Sequence, residues 1–271
     1  METGRPYVTR DSLATDLRKL GVGAGQRILL HASLRSLGWV DGGTATVVGA
    51  LRDVLGPAGT LVVPAMTPGN SDTSRLYRER ARDMTWWQRR RYRRRMPPFD
   101  AATTPGTGTG LIAEQVRTSE GAVRSAHPQS SFAAIGALSE HFMHGHAPDC
   151  HLGERSPLAR LYDADAQILL LGVGYANCTA FHLAEYRYTA HPPRRRYACA
   201  VLRNGRRKWW HYRDVVLDDS DFAAIGEALA ATNNVSTGTV GAADAALIPL
   251  RTAVDFAAAW LGAHRARDSQ E

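Results

Sequence analysis

The chain has 271 residues, of which 44% are hydrophobic and 22% charged, a balance that supports a large core and excludes global disorder. No run of about 18 apolar residues occurs, which excludes a membrane-spanning helix, and Met1 to Val22 lacks the apolar centre of a signal peptide. Three widely spaced cysteines (Cys150, Cys178, Cys199) make neither a disulfide framework nor a zinc pattern, so a cytoplasmic, reduced protein is expected.

In chain order, Asp11 to Leu20 predicts a helix with Leu13, Leu17 and Leu20 on one side and Gly21 as its stop. Gln26 to His31 is a strand. A loop carrying Ser33, Ser36, Gly38, Gly42 and Gly43 leads from it into a helix from about Thr44 to Leu55. Gly56-Pro57-Ala58-Gly59 turns the chain into a strand at Thr60 to Pro64, completing a strand–helix–strand unit. That unit predicts an α/β fold with a largely parallel sheet.

Residues 66–110 differ in being polar, arginine-rich and rich in Pro and Gly, with Trp86 and Trp87 near their middle. They read as a lid or insertion with a helical centre inside one domain spanning 1–271. Thr107 to Arg117 restarts an amphipathic helix, Ser131 to Gly136 is a strand and Ser139 to Met143 a short helix. Gln167 to Val173 is a short apolar run closed by Gly174 and reads as a central strand. Thr179 to Arg187 is helical in character, with Asn177 or Thr179 available as cap. Tyr197 to Leu202 and Lys208 to Tyr212 form a hairpin around Asn204-Gly205. Asp221 to Ala231 and Ala253 to Gly262 are the closing helices.

The segment GVGYANCTAFHLAE, residues 172–185, carries the densest chemical signal. Residues three apart on a helix are neighbours, so His182 and Glu185 are placed to touch just after a strand. A neutral imidazole oriented by a carboxylate at the carboxyl end of a strand is suited to act as a general base. A position near a helix N-terminus would further disfavour the protonated ring. Cys178, four residues earlier, raises the alternative of a covalent route with His182 activating a thiol, against the commoner role of a buried cysteine as a small hydrophobe. The ten histidines show no HExxH or comparable cluster, so no metal is expected.

The formal net charge of +7 is concentrated, with ten arginines between Arg75 and Arg95 and three more at Arg194-Arg195-Arg196. A solvated helix face, a contact to cofactor phosphates, and nucleic-acid binding are the three readings. The last is disfavoured because RNP, KH and zinc-finger signatures are missing.

Several blocks, in order, resemble the aminoglycoside 3-N-acetyltransferase family, also called the antibiotic N-acetyltransferases. They are HASLRSLGWVDGG (31–43), LGPAGTLVVP (55–64), MPPFD (96–100), RSAHPQSSFAAIG (124–136), LGERSPLARLYD (152–163) and LLLGVGYANCTAFHLAEYR (169–187), with a weaker match near the C-terminus. The resemblance implies a single three-layer α/β/α domain unlike the GNAT fold, with a mostly parallel central sheet. It also implies acetyl-CoA as donor and transfer to the 3-amino group of a 2-deoxystreptamine ring, by direct attack rather than through an acetyl-cysteine. Antibiotic resistance or self-protection would follow. A same-fold acetyltransferase for another amine, such as an antibiotic precursor, is the second reading, since the basic segment after Pro64 is unexpected beside a polycationic acceptor.

Within this frame His182 is the expected base and Glu185 its orienting partner. His31, Ser33, Leu34, Ser36, Leu37 and Gly38, with the helix start at Thr44, form the first expected donor loop. Small residues there admit the pantetheine and free N–H groups receive phosphate. Thr107 and Gly108 make a second candidate phosphate site, and Ser125, His127 and Ser131 a third donor element. Asp72, Asp100 and Asp163 are candidate partners for acceptor ammonium groups, and Trp39 and Trp86 for a sugar face. No membrane partner is expected, and the sequence leaves the oligomeric state open.

Overall fold

A computed structural model describes residues 7–265. The chain runs through β1 (Tyr7–Val8), α1 (Arg10–Leu20), β2 (Arg27–Ala32), β3 (Trp39–Val40), α2 (Gly43–Leu55) and β4 (Thr60–Pro64). A basic segment follows with α3 (Arg75–Arg80) and α4 (Trp86–Arg95), then α5 (Leu111–Thr118), β5 (Val123–Arg124), β6 (Phe132–Gly136), α6 (Ser139–Met143) and α7 (Pro157–Asp163). The remainder comprises β7 (Gln167–Leu171), α8 (Phe181–Ala184), the hairpin β8 (Arg194–Arg203) and β9 (Arg206–Val215), α9 (Phe222–Ala230), β10 (Ser236–Val240), β11 (Ala243–Pro249) and α10 (Leu250–His264).

The central sheet has seven strands in the order β10-β11-β7-β2-β4-β6-β5. β7, β2 and β4 pair in parallel at its middle, while β11 and β6 run against their neighbours. β10, β7, β2, β4 and β5 therefore share one direction, and the sheet is mostly parallel in orientation with antiparallel pairings toward both edges. Alternation along the strands sorts their side chains onto two faces. Ile28, Leu30, Leu169 and Leu171 pack with α1, α2 and α5 on one face, and Leu29, Ile168 and Leu170 pack with α6 to α10 on the other. Two apolar layers thus sandwich the sheet, which is the three-layer α/β/α arrangement.

Local chemistry explains the boundaries. Thr9 caps α1 by accepting from the Ser12 amide at 3.2 Å, and Gly21, at φ 109°, ends it where the sequence predicts. The β8–β9 hairpin turns at Asn204 and Gly205, whose φ values of 53° and 69° suit the tight turn expected of that dipeptide.

Three elements depart from the sequence reading. The helix expected from Thr107 begins only at Leu111, because Gly108 and Gly110 adopt φ values of 80° and 85° that no right-handed helix accommodates. The helix expected over Thr179 to Arg187 is a single α-turn at Phe181–Ala184 flanked by tighter three-residue turns, and no side chain caps it. So short an element sums little dipole. The strand expected to reach Val173 ends at Leu171, where Gly172 turns at φ 66°. A Cβ on Gly172 would lie 2.4 Å from Ser36 Cβ, so close contact between the two loops requires glycine here.

Residues 66–110 do have a helical centre, α3 and α4, and pack against the β8–β9 hairpin. The Phe99 amide donates to the Ala200 carbonyl at 3.1 Å and Ser71 Oγ to the Ala198 carbonyl at 2.7 Å. No described helix is long and apolar enough to cross a membrane.

Candidate active site

The order β7-β2-β4 places consecutive parallel strands on opposite sides of β2, so their loops part at the carboxyl edge of the sheet, where open α/β folds bind ligands. A cleft of about 1060 Å³ opens there. It is lined by the loop after β2, including His31, Ser33, Leu34, Arg35, Gly38 and Trp39, by Gly42 and Gly43 at the start of α2, and by Gly108 to Leu111. The loop after β7 closes it with Asn177, Cys178, Thr179 and His182, and Asp219 and Phe222 complete it from the start of α9.

His182 Nδ1 lies 2.6 Å from Glu185 Oε2. With the carboxylate accepting there, a neutral ring carries its proton on Nδ1 and presents the Nε2 lone pair. Phe222 meets the ring at 4.6 Å between centroids. Glu185 is completely buried and its second oxygen, Oε1, accepts from the Asp218 amide and from Arg265 Nη1, each at 2.8 Å. Arg265 in turn bonds Asp221 through Nε at 2.7 Å and the Asp218 carbonyl through Nη2 at 2.7 Å. Such charge-assisted partners offset the removal of a carboxylate from water and hold it in place. The sequence gives no pointer to Arg265, which lies 80 positions from Glu185.

His31, the next-to-last residue of β2, lies opposite Leu170 of β7 and reaches the same cleft. Burial, reinforced by the nearby His182, pushes its ring down to about 4, so it is neutral at cellular pH, and its Nε2 is buried without a partner among the described residues. Cys178 also borders the cleft, yet its side chain is buried and burial pushes the thiol up to about 12. That removes the thiolate a covalent route needs.

The other expected donor residues divide. Ser33, Leu34, Gly38 and Gly108 line the cleft. Ser36 braces the site from behind, bonding Ser33 Oγ and the Gly172 carbonyl at 3.0 Å each, and Leu37 is a core residue. Thr44 turns away to donate to Gln115 on α5 at 3.0 Å, and the α2 start offers Gly42 and Gly43 to the cleft instead. Thr107 is exposed, with its amide on the Met66 carbonyl.

Ser125, His127 and Ser131 are fully buried outside the cleft. Ser125 Oγ bonds His146 Nδ1 at 2.9 Å, His127 Nδ1 accepts from the amides of Gln129 and Ser130, and Ser131 Oγ donates to the Ala65 carbonyl. The RSAHPQSSF segment therefore anchors the chain between sheet and hairpin. His127 lies between His146 and His151 at ring distances of 4.8 and 4.7 Å, and His151 donates through Nδ1 to Asp214 at 2.8 Å. A local sequence reading singles out His127 but not the cluster around it, whose members come from three separated segments.

The acceptor candidates fare differently. Trp39 lines the cleft, 67% exposed. Trp86 does not; it stands on α4 edge-on to Trp87. Asp72 is paired with Arg93 at 2.9 Å, with burial raising its carboxyl. Asp100 is consumed by the amides of Ala102 and Thr103, and Asp163 is exposed on α7, its carbonyl accepting from Arg251. Among the described residues Asp219, which sequence reasoning missed, is the sole carboxylate bordering the cleft.

A carboxylate-oriented histidine thus lies at the strand ends of a three-layer α/β fold, beside a cleft whose one cysteine is buried. The aminoglycoside 3-N-acetyltransferase family profile matches residues 29–262, and the chain belongs to that family. It is 37% identical to a prophage-derived aminoglycoside N(3')-acetyltransferase-like protein, YokD, of Bacillus subtilis, over 93% of this chain and 92% of that one. The YokD crystal structure superposes with a TM-score of 0.92, covering 98% of each chain. Aminoglycoside N(3)-acetyltransferase VII of Streptomyces paromomycinus is also 37% identical, over 94% of this chain and 91% of its own. A binary complex of AAC-IIIb with CoASH superposes with a TM-score of 0.83 at 29% identity, covering 94% and 97% of the two chains.

Proposed function

We propose that this chain transfers the acetyl group of acetyl-CoA to an amine of an aminoglycoside, at the 3-amino group of the 2-deoxystreptamine ring. The observation that carries the chemistry is the fixed His182–Glu185 pair, held at 2.6 Å beside the cleft. The acceptor attacks the thioester carbonyl as the neutral amine, and His182 Nε2 takes the one proton that the nitrogen loses, which then passes to the departing CoA sulfur. Glu185 stabilises the imidazolium that forms, and Arg265 keeps Glu185 in place. The new C–N bond forms as the C–S bond breaks, and the departing CoA thiolate takes up a proton. Gly42, Gly43 and the Gly108–Leu111 loop supply backbone amides and room for a phosphorylated donor. The names of the relatives and the CoASH complex of one of them support this reading. Three buried free thiols, Cys150, Cys178 and Cys199, accord with a cytoplasmic setting.

One observation favours a second acceptor class. With Asp219 the one carboxylate at the cleft among the described residues and Arg35 also on its wall, the site presents little charge to match a polycation. A less charged amine metabolite or antibiotic precursor fits that balance. The test is CoA release, read with a thiol reporter, across a panel of aminoglycosides and singly charged amines. Release with aminoglycosides and 3-N-acetyl product by mass spectrometry supports the first reading. Release with singly charged amines alone supports the second, and failure to bind acetyl-CoA would overturn both.

A further inference from the structure

The arginine block of α4 takes no part in the cleft, and of its arginines Arg93 alone pairs with a carboxylate among the described residues. No residue of α4 is buried. Arg90 and Arg94, and Arg91 and Arg95, lie four apart on one helix, an arrangement in which like charges repel. Carboxylates nearby are engaged elsewhere, Asp72 by Arg93 and Glu79 by Arg75, and none pairs with Arg90, Arg91, Arg94 or Arg95 among the described residues. Like charges gathered on an exposed helix without carboxylate partners suit an external anion.

The surroundings give that anion a shape. α4 lies against β9, where Arg207 bonds the carbonyls of Met96 and Arg93 at 3.0 and 2.6 Å and locks the two elements together. Between them is a groove of about 230 Å³ lined by Arg90, Arg93, Arg94, Arg207 and Trp209. Arg93 stacks over Trp209 at 4.6 Å, and Arg90 over Trp86 at 5.5 Å. At the amino end of α4, Trp86 and Trp87 are 60% and 71% exposed. Guanidinium groups alternate with indole planes along a track of roughly 15 Å on the helix alone, extended by the hairpin. Anionic lipid is a poorer match, because α4 reads WWQRRRYRRR and offers no aliphatic face to bury.

We propose that the face formed by α4 and β9 binds single-stranded nucleic acid, the arginines meeting phosphates and the exposed tryptophans stacking on unpaired bases. This surface is independent of the cleft and of the acceptor.

The test is fluorescence anisotropy of the full chain with a labelled single-stranded RNA 20-mer across a salt series, beside duplex DNA, heparin and anionic phospholipid vesicles. Variants are a fourfold change of Arg90, Arg91, Arg94 and Arg95 to Gln, and Trp87→Ala; acetyl-CoA binding reports that each remains folded. Binding of RNA is expected to weaken at least tenfold in the fourfold variant, with the log–log salt slope smaller by about 3. Trp87→Ala is expected to weaken RNA binding several-fold and leave heparin binding unchanged. No RNA binding at 0.1 M salt, binding indifferent to the arginine changes, equal affinity for duplex DNA with no effect of Trp87→Ala, or binding to vesicles alone would overturn it.

Discussion

Glu185 Oε2 sits 2.6 Å from His182 Nδ1, and the same carboxylate receives Arg265 on its other oxygen at 2.8 Å. The pair is therefore the inner end of a hydrogen-bonded chain, Asp221–Arg265–Glu185–His182, that fixes one tautomer of the imidazole. A glutamine at 185 would be isosteric but could turn an N–H toward Nδ1 and favour the wrong tautomer. Glu185→Gln is expected to lower kcat about 10²-fold or more with KM for acetyl-CoA nearly unchanged, measured by steady-state kinetics. A comparable rise in that KM instead would assign Glu185 to donor binding.

Cys178 borders the cleft but is buried, with its thiol pushed up to about 12. Cys178→Ala is expected to keep turnover within about threefold of wild type, because direct transfer makes no acyl-enzyme. Intact-mass analysis after mixing with acetyl-CoA alone should show no acetyl adduct on the protein.

Acid stability follows from the buried imidazoles. Burial lowers His127 well below its ordinary value, His146 to about 3 and His31 to about 4, whereas in the unfolded chain each titrates near 6.5. Below pH 6.5 the unfolded state binds more protons, so stability falls as pH falls. The loss approaches about 1.4 kcal/mol per pH unit for each such histidine until its folded value is reached. Thermal denaturation should therefore show Tm dropping steadily from pH 6.5 toward pH 4, and a flat Tm over that range would contradict buried neutral rings.

The α/β elements were legible because their signals are local, whereas the three-layer arrangement followed from the family resemblance. Short apolar strand runs, Gly21 after α1 and Asn204-Gly205 in the hairpin each specify their element within a few residues. His182 and Glu185 were legible for the same reason, being three apart. The remainder of the site depends on distant segments meeting: Arg265 and Asp218 at Glu185, and Asp219 at the cleft mouth. Thr44, Thr107 and Ser125 illustrate the opposite case. Each has a residue type suited to an anion, but its hydroxyl or amide is already committed to, or turned toward, another part of the fold. Asp72 and Asp100 likewise spend their charge locally, on Arg93 and on two backbone amides.

The central claim is that His182 is the base for acetyl transfer while the donor is held by the loops around it. The most direct measurement compares wild type with His182→Ala for acetyl-CoA affinity by calorimetry and for amine-dependent CoA release. The account predicts turnover reduced about 10²-fold or more with donor affinity essentially unchanged. Turnover close to wild type would contradict it.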